Sequence, residues 1–231
     1  MNNSGNEQLR ALYEIHYENL KHELNDLMEK QDGGKPTNPL LISIDDEERY
    51  QASDIKIMFF GQETNDWENI CGREIDHLLA TYQDFLGATK KGSQSSHFWR
   101  MVRDYHKSVL DKNPGKKIDY IWNNILKVGL ANKRGKPSSD IVKLQQEYFP
   151  VIKAEIDILK PDIVIFFTGP YYDEHIKHEF PDVDFMKISG MKEREICEIH
   201  SSSLPTRAFR TYHPDHLVWG KKALFEALKE L

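Results

Sequence analysis

The sequence lacks several features that mark common classes of protein. No apolar run approaches the roughly 20 residues that cross a bilayer, and the first ten residues, MNNSGNEQLR, lack the apolar core of a secretory signal. Only two cysteines occur, Cys71 and Cys197, too few for a four-cysteine zinc or iron–sulfur site within one chain. We therefore expect a cytoplasmic protein with no membrane segment and no disulfide.

Familiar catalytic motifs are missing as well. The glycines form no phosphate-binding loop, and the serines at 201–203 lack the Gly-x-Ser-x-Gly signature of a serine hydrolase. The spacing of His213, Asp215 and His216 resembles no zinc motif. We predict neither a metal nor a cofactor.

An overall excess of positive charge is also missing, because 31 Lys and Arg residues face 37 Asp and Glu residues, a formal net charge of −6. This balance excludes a uniformly basic surface that coats nucleic acid. Residues 86–138, however, contain twelve positive and only three negative side chains, a local charge of +9. Such segregation indicates one local anion-binding surface.

Apolar periodicity predicts the fold. Short buried runs that end at small or polar residues are typical of central strands, and helical patterns at 98–110 and 141–159 separate them. The predicted strands are 55–60, 120–122, 163–167 and 208–212. We predict a three-layer α/β/α fold whose central, mostly parallel sheet has four strands.

Leucines and tyrosines between residues 9 and 28 recur at three- and four-residue steps, which predicts an additional N-terminal amphipathic helix. We divide the chain into residues 1–50, a helix and loop packed on the domain, and residues 51–231, the α/β domain.

Polar motifs follow each predicted strand. In open parallel sheets, ligands bind at the carboxyl ends of the strands, so these motifs are candidates for one site. They are Gly61-Gln62-Glu63, Asn123-Asn124, Thr168-Gly169-Pro170 and His213-Pro214-Asp215-His216-Leu217.

The motifs and their order resemble the uracil-DNA glycosylase superfamily. Residues 96–100, Ser-His-Phe-Trp-Arg, are similar to the Asn-His-Phe-Trp-Lys helix start of its mismatch-specific branch. Some branches hold an iron–sulfur cluster on four cysteines, so the chain resembles a cluster-free relative. The resemblance implies base flipping, in which the enzyme extrudes a base into a pocket and reads its edge.

Catalytic roles follow from the resemblance. It implies that His213 donates a hydrogen bond to the departing base anion and that Glu63 positions the attacking water. It further implies that Asn123 or Asn124 reads the base, since an amide offers one donor and one acceptor. Leu217 would fill the gap left by the flipped base.

The motifs also suggest secondary contacts. We assign Gln62 to the base and Gly169 to the DNA, and Arg207 and Arg210 are candidates for phosphate contacts near the last motif. Several choices stay open. Asp66 is an alternative to Glu63, and the aromatic face that stacks on the base comes from Phe85, Tyr82 or Trp67.

The leading hypothesis is a monomeric N-glycosylase that hydrolyses uracil or a related damaged base from DNA. One alternative is a non-catalytic module of the same fold that binds nucleic acid or a modified base. Another is a nucleoside or nucleotide hydrolase, because Asp215 stands where the family has a serine that contacts a DNA phosphate. A carboxylate there would repel phosphate.

Overall fold

The computed structural model describes residues 3–30, 34–219 and 222–231, except for the side chains of residues 217–219 and 222. The helices are α1 (Gly5–Lys30), α2 (Glu47–Gln51), α3 (Ile75–Lys90), α4 (His97–Lys112), α5 (Ser139–Tyr148), α6 (Ile152–Leu159), α7 (Asp173–Glu179) and α8 (Lys222–Glu230). The strands are β1 (Ile55–Asn65), β2 (Ile118–Leu130), β3 (Ile163–Phe166), β4 (Asp184–Lys187), β5 (Ile196–His200) and β6 (Arg207–Thr211). Short 3-10 turns occupy Pro170–Tyr172 and Pro214–Trp219.

The strands form one mixed sheet in the order β2-β1-β3-β6-β5-β4. The first four run parallel, β5 is antiparallel to β6, and β4 is antiparallel to β5. The predicted α/β class is confirmed, but the sheet has six strands where four were expected. Both unpredicted strands are short, and β4 is largely exposed, so neither has the continuous apolar run of a central strand.

Strand β2 also differs from the prediction, which ended it at Trp122. It continues through Asn123 and Asn124 to Leu130 and stays paired with β1, with Glu63 opposite Leu126. The β1–β2 pair therefore extends beyond the end of β3 at Phe166. The polar residues at 62–65 and 123–124 lie within strands, and their side chains alternate between the two faces of the sheet.

Helices cover both faces of the sheet. On one face, Phe59 of β1 packs against Tyr105 of α4 with ring centroids 5.8 Å apart, and the Phe167 ring lies 6.4 Å from Phe225 of α8. On the other face, Phe166 packs against Phe180, which follows α7. Helix α1 adds a layer to this second side through a stripe of fully buried side chains. These are Leu9, Tyr13, Tyr17, Leu20 and Leu24.

A buried ion pair joins β2 to α6 and α1. Lys127 and Glu155 are both 0% exposed, and Lys127 Nζ lies 2.6 Å from Glu155 Oε1. Asn123 accepts a hydrogen bond from Lys127 and donates one to Glu155, at 2.6 and 2.8 Å. The Tyr13 hydroxyl donates to the same carboxylate at 2.6 Å. Burial lowers the pKa of the Lys127 amine, so the partners that surround it are what keep it charged.

Removing one member of this pair should destabilise the fold strongly. We expect Lys127→Met to lower the free energy of unfolding by about 3–5 kcal/mol, because it leaves the Glu155 carboxylate buried without its cation. Urea denaturation measures the difference. The matched control is Lys143→Met at an exposed position of α5, which should change the free energy by about 0.5 kcal/mol or less. Equal effects of the two substitutions would contradict a structural role for the pair.

Candidate active site

A cleft of about 570 Å³ opens where β3 and β6 end, beside the extended β1–β2 pair. Its walls come from β1, β2, the start of α4, the segment after β6 and a loop after β2. The lining residues are Gly61, Gln62, Glu63, Thr64, Asn65, Trp67, Phe85, Gln94, Ser96, Phe98, Trp99, Trp122, Asn124, Arg134, Gly135, His213 and Asp215. Three of the predicted functional segments thus contribute to one cleft.

Glu63 lies in the cleft wall, and its carboxylate is oriented by a tyrosine. The Tyr172 hydroxyl donates a hydrogen bond to Glu63 Oε2. Burial and then this carboxylate raise the pKa of Tyr172, so the hydroxyl keeps its proton. The Lys136 amine lies 5.4 Å from the centre of the Tyr172 ring. Glu63 is therefore a half-buried carboxylate with a defined orientation, as required of a group that positions water.

Asn124 forms part of the cleft floor. It pairs with Gly61 across the β1–β2 register and is 3% exposed. Its Nδ2 donates to Thr64 Oγ1 at 3.2 Å. A Cβ at position 61 would lie 2.3 Å from Asn124 Oδ1, so glycine is required for this close approach. The amide is held against β1 at the base of the cleft.

Asn123 points away from the cleft, because adjacent residues of a strand project to opposite faces. It is fully buried and bonded to Lys127 and Glu155. Of the two asparagines that the sequence left open, the structure brings only Asn124 into the cleft. Asn123 belongs to the buried network that supports the strand.

His213 presents a neutral imidazole to the cleft. Its ring stacks on Phe98, with centroids 5.7 Å apart and an interplanar angle of 17°. Burial lowers its pKa, the nearby charge of Asp215 opposes this shift, and His216 and His97 add to it. The backbone N–H of Asp215 lies 3.3 Å from Nδ1 and donates to it. This contact assigns the proton of the neutral ring to Nε2, which becomes a hydrogen-bond donor.

Asp215 is a carboxylate at the rim of the cleft. Its side chain is 67% exposed, with Oδ1 3.1 Å from His97 Nδ1 and Oδ2 3.5 Å from His213 Nδ1. A negative charge at this point opposes the approach of a phosphate.

An aromatic cluster forms one side of the cleft. Phe85 contacts Trp67, Trp99 and Trp122, with ring centroids 5.4–5.6 Å apart. Tyr82, in contrast, is fully buried behind Trp122, stacked on its ring at 6.0 Å. Phe85 and Trp67 therefore remain available as stacking faces. Sequence reasoning did not select Trp99 and Trp122, although Trp99 lies in the segment that resembles the mismatch-specific helix start.

Gln62 and Gly169 connect the strand ends. Gln62 lines the cleft and donates from Nε2 to the Thr168 carbonyl at 2.8 Å. Gly169 is outside the lining set, and its N–H donates to the Thr211 carbonyl at 2.9 Å. Its φ of +69° favours glycine over other residues. The turn after β3 is thereby bonded to both neighbouring strands.

The two arginines near the last motif do not reach the cleft. Arg210 is 2% exposed, and its guanidinium binds Asp173 at 3.0 Å and the carbonyls of Glu193 and Arg194. The expectation that it contacts DNA phosphate is therefore wrong, because its donors are already used inside the fold. Arg207 is exposed, but it lies at the amino-terminal end of β6, whereas the cleft lies beyond the carboxyl end of that strand.

Two other sequence candidates lie elsewhere. The side chain of Leu217 falls outside the described residues. Asp66 is exposed and absent from the cleft lining, and its carboxylate accepts a hydrogen bond from the Asn132 N–H at 2.8 Å. Between the two carboxylates that the sequence left open, Glu63 is the one in the cleft.

A cationic loop at 132–136 borders the cleft. Asp66 binds its first residue, and Asn65 Oδ1 accepts from the Gly135 N–H at 3.2 Å. Lys133, Arg134 and Lys136 are exposed, and Arg134 lines the cleft. These residues belong to the positively charged segment 86–138, but none of them was predicted to belong to the site.

Among the described residues, no three His, Cys, Asp or Glu side chains cluster in a way that could hold a metal ion. None of the described helices combines the length and apolarity needed to span a membrane.

The protonation of His213 can be measured directly. Because burial lowers its pKa, we expect its imidazole to titrate below the pH of about 6.5 that is typical of an unperturbed histidine. The folded state then resists protonation, so stability contributed by this group is present above pH 6.5 and declines as the pH falls. NMR titration of the ring signals, assigned with His213→Ala, reports the midpoint. A midpoint at or above 6.5 would contradict a neutral donor.

Comparison with known proteins adds no family assignment. No protein-family model matches the chain, and no curated protein sequence matches it significantly. The geometry of the cleft is therefore the basis on which a function can be inferred.

Proposed function

We propose that this protein hydrolyses the N-glycosidic bond of uracil or a related damaged base in DNA. The observation that carries the proposal is the convergence of Glu63, Asn124 and His213 on one cleft from three strands. We assign the four parallel strands, in the order β2-β1-β3-β6, to a uracil-DNA glycosylase-like core. On this assignment β4 and β5 are an antiparallel extension of the core.

In the proposed reaction, the base leaves the DNA stack and enters the cleft. The amide of Asn124 faces its polar edge, and the ring of Phe85 or Trp67 lies against its face. The bond between C1′ of the sugar and N1 of the base then breaks, and its electron pair remains on the base. A water molecule adds its oxygen to C1′ and gives a proton to Glu63.

His213 and Glu63 have complementary tasks in this scheme. Negative charge develops on the O2 atom of the departing uracil, and the Nε2–H of His213 stabilises it by hydrogen bonding. Positive charge develops on the sugar, and the carboxylate of Glu63 stabilises it. The contact from Tyr172 limits the directions that this carboxylate can adopt.

The cationic loop at 132–136 supplies the contact to the DNA backbone. Phosphate contacts give most of the sequence-independent affinity for nucleic acid. Lys133, Arg134 and Lys136 lie on the side of the cleft formed by β1 and β2, whereas the negative Asp215 follows β6. We therefore place the sugar–phosphate backbone of the DNA along the cationic loop at 132–136.

A uracil-containing oligonucleotide tests the activity and the role of Glu63. We expect the wild-type protein to generate abasic sites, seen as strand scission after alkali. Glu63→Gln should reduce the single-turnover rate by about 10²–10⁴-fold, because an amide cannot accept the proton of the water. Asp66→Asn is the matched control and should retain activity, since its Oδ1 can still accept from Asn132.

The same assay distinguishes the alternatives. Absence of scission at high enzyme excess would remove uracil as the substrate. Binding of the oligonucleotide without product, measured by fluorescence polarisation, would favour a non-catalytic binding module.

Salt dependence tests the backbone contact. Arg134→Gln should weaken binding and reduce the slope of log K against log salt by about 0.7–0.9, the value for one lost phosphate contact. Lys143→Gln, on a helix away from the cleft, is the control and should leave the slope unchanged. An unchanged slope for Arg134→Gln would place the DNA backbone elsewhere.

One observation favours a second candidate, a nucleoside or nucleotide hydrolase. The exposed carboxylate of Asp215 at the rim disfavours a polyanion but tolerates a neutral nucleoside. Turnover of free nucleosides without salt-dependent DNA binding would support this function over the first.

A further inference from the structure

A second cavity, of about 990 Å³, lies between the last turns of α3, the middle of α4 and the first residues of β2. It shares no lining residue with the cleft. Tyr120, in its wall, precedes Asn124 by four residues of strand, a separation of about 13 Å along the chain. The cavity is therefore a separate feature toward the amino-terminal end of β2.

A closed network of charges forms one wall of this cavity. Lys90 Nζ lies 2.6 Å from both Asp45 Oδ1 and Asp119 Oδ1. Arg49 binds the second oxygen of each carboxylate, at 2.6 and 3.0 Å. Two cations thus neutralise the two buried carboxylates, so this charge network has no net charge.

Two other residues in the cavity wall, Arg103 and Tyr120, each have a buried polar atom without a partner among the described residues. Tyr120 is 2% exposed, and its buried hydroxyl has no hydrogen-bond partner among the described residues. The buried Nη1 of Arg103 also lacks a partner within the described ranges. Both groups line the same cavity, and burial raises the pKa of Tyr120 while the charge of Arg103 opposes this shift. A buried donor without a partner is unfavourable, and here two line one cavity.

The groups around Tyr120 hold its ring in place. The Lys90 amine lies 5.0 Å from the ring centre, and the His106 ring is 5.2 Å away. His106 Nε2 donates to the Ile118 carbonyl at 3.1 Å. Among the described residues, none of these neighbours bonds to the Tyr120 hydroxyl.

We propose that this cavity binds a small molecule through its oxyanion group, a carboxylate or a phosphate, held by Arg103 and Tyr120. A guanidinium offers paired donors that match such a group, and the phenol adds another. The volume is in the range of small-molecule sites. Asp46, Asp84 and Asp104 also line the cavity and repel a polyanion, so the ligand is a small molecule and not DNA.

Isothermal titration calorimetry of the purified chain tests this site, with inorganic phosphate and acetate as separate probes at constant ionic strength. Saturable binding of phosphate identifies a phosphate ligand, and saturable binding of acetate identifies a carboxylate. Tyr120→Phe should weaken the binding about tenfold, the loss expected for one hydrogen bond to a charged group. Arg103→Gln should abolish it.

Arg100→Gln is the matched control, because Arg100 is exposed on the same helix and lines neither this cavity nor the cleft. It should bind like the wild type. Tyr120→Phe preserves the shape of the side chain, so it tests the contribution of the hydroxyl to anion binding even if Arg103→Gln fails to fold. No saturable binding of either anion would overturn the proposal. Binding that is equal in the wild type and Tyr120→Phe would also overturn it, since the anion would then bind elsewhere.

Discussion

The buried ion pair between Lys127 and Glu155 is the interaction on which the candidate site depends. A buried pair is tolerated only when its hydrogen bonds are made, and here Asn123 and Tyr13 make them. A shift of β2 by one residue would reverse its faces and break all these contacts. The pair therefore specifies the register that places Asn124 in the cleft, although neither charge approaches the cleft itself.

The cleft contains three kinds of polar side chain, a carboxylate, an imidazole and an amide, beside an aromatic wall. Glu63 is oriented by Tyr172, and His213 is kept neutral by burial and stacked on Phe98. Asn124 lines the same cleft. A carboxylate near a neutral donor suits a reaction in which opposite charges develop on a sugar and a departing base. The residues were selected by sequence motif, and their shared location is an independent argument for one site.

The sequence predicts the strands that are buried on both faces, because they occur as continuous apolar runs. Runs such as 163–167 indicate a central strand because both faces are covered, whereas β4 has mostly exposed residues and carries no such signal. The motifs could not distinguish Asn123 from Asn124. The face that each side chain occupies becomes clear only from the packing of α6 against β2. Arg210 was misjudged for a similar reason, since its partner Asp173 is 37 residues away in sequence. Trp122 was predicted only as the end of a central strand, and the structure places it in the lining of the cleft.

The proposed position of the base in the cleft can be tested directly. The experiment adds a uracil-containing single-stranded oligonucleotide to the Glu63→Gln variant labelled with ¹⁵N and follows the amide signals by NMR. We expect large amide shifts at residues 61–65, at Asn124 and at His213, Asp215 and His216, around the cleft. Shifts confined to the opposite edge of the sheet, near Arg207, or the absence of shifts at the cleft residues would contradict this position of the base.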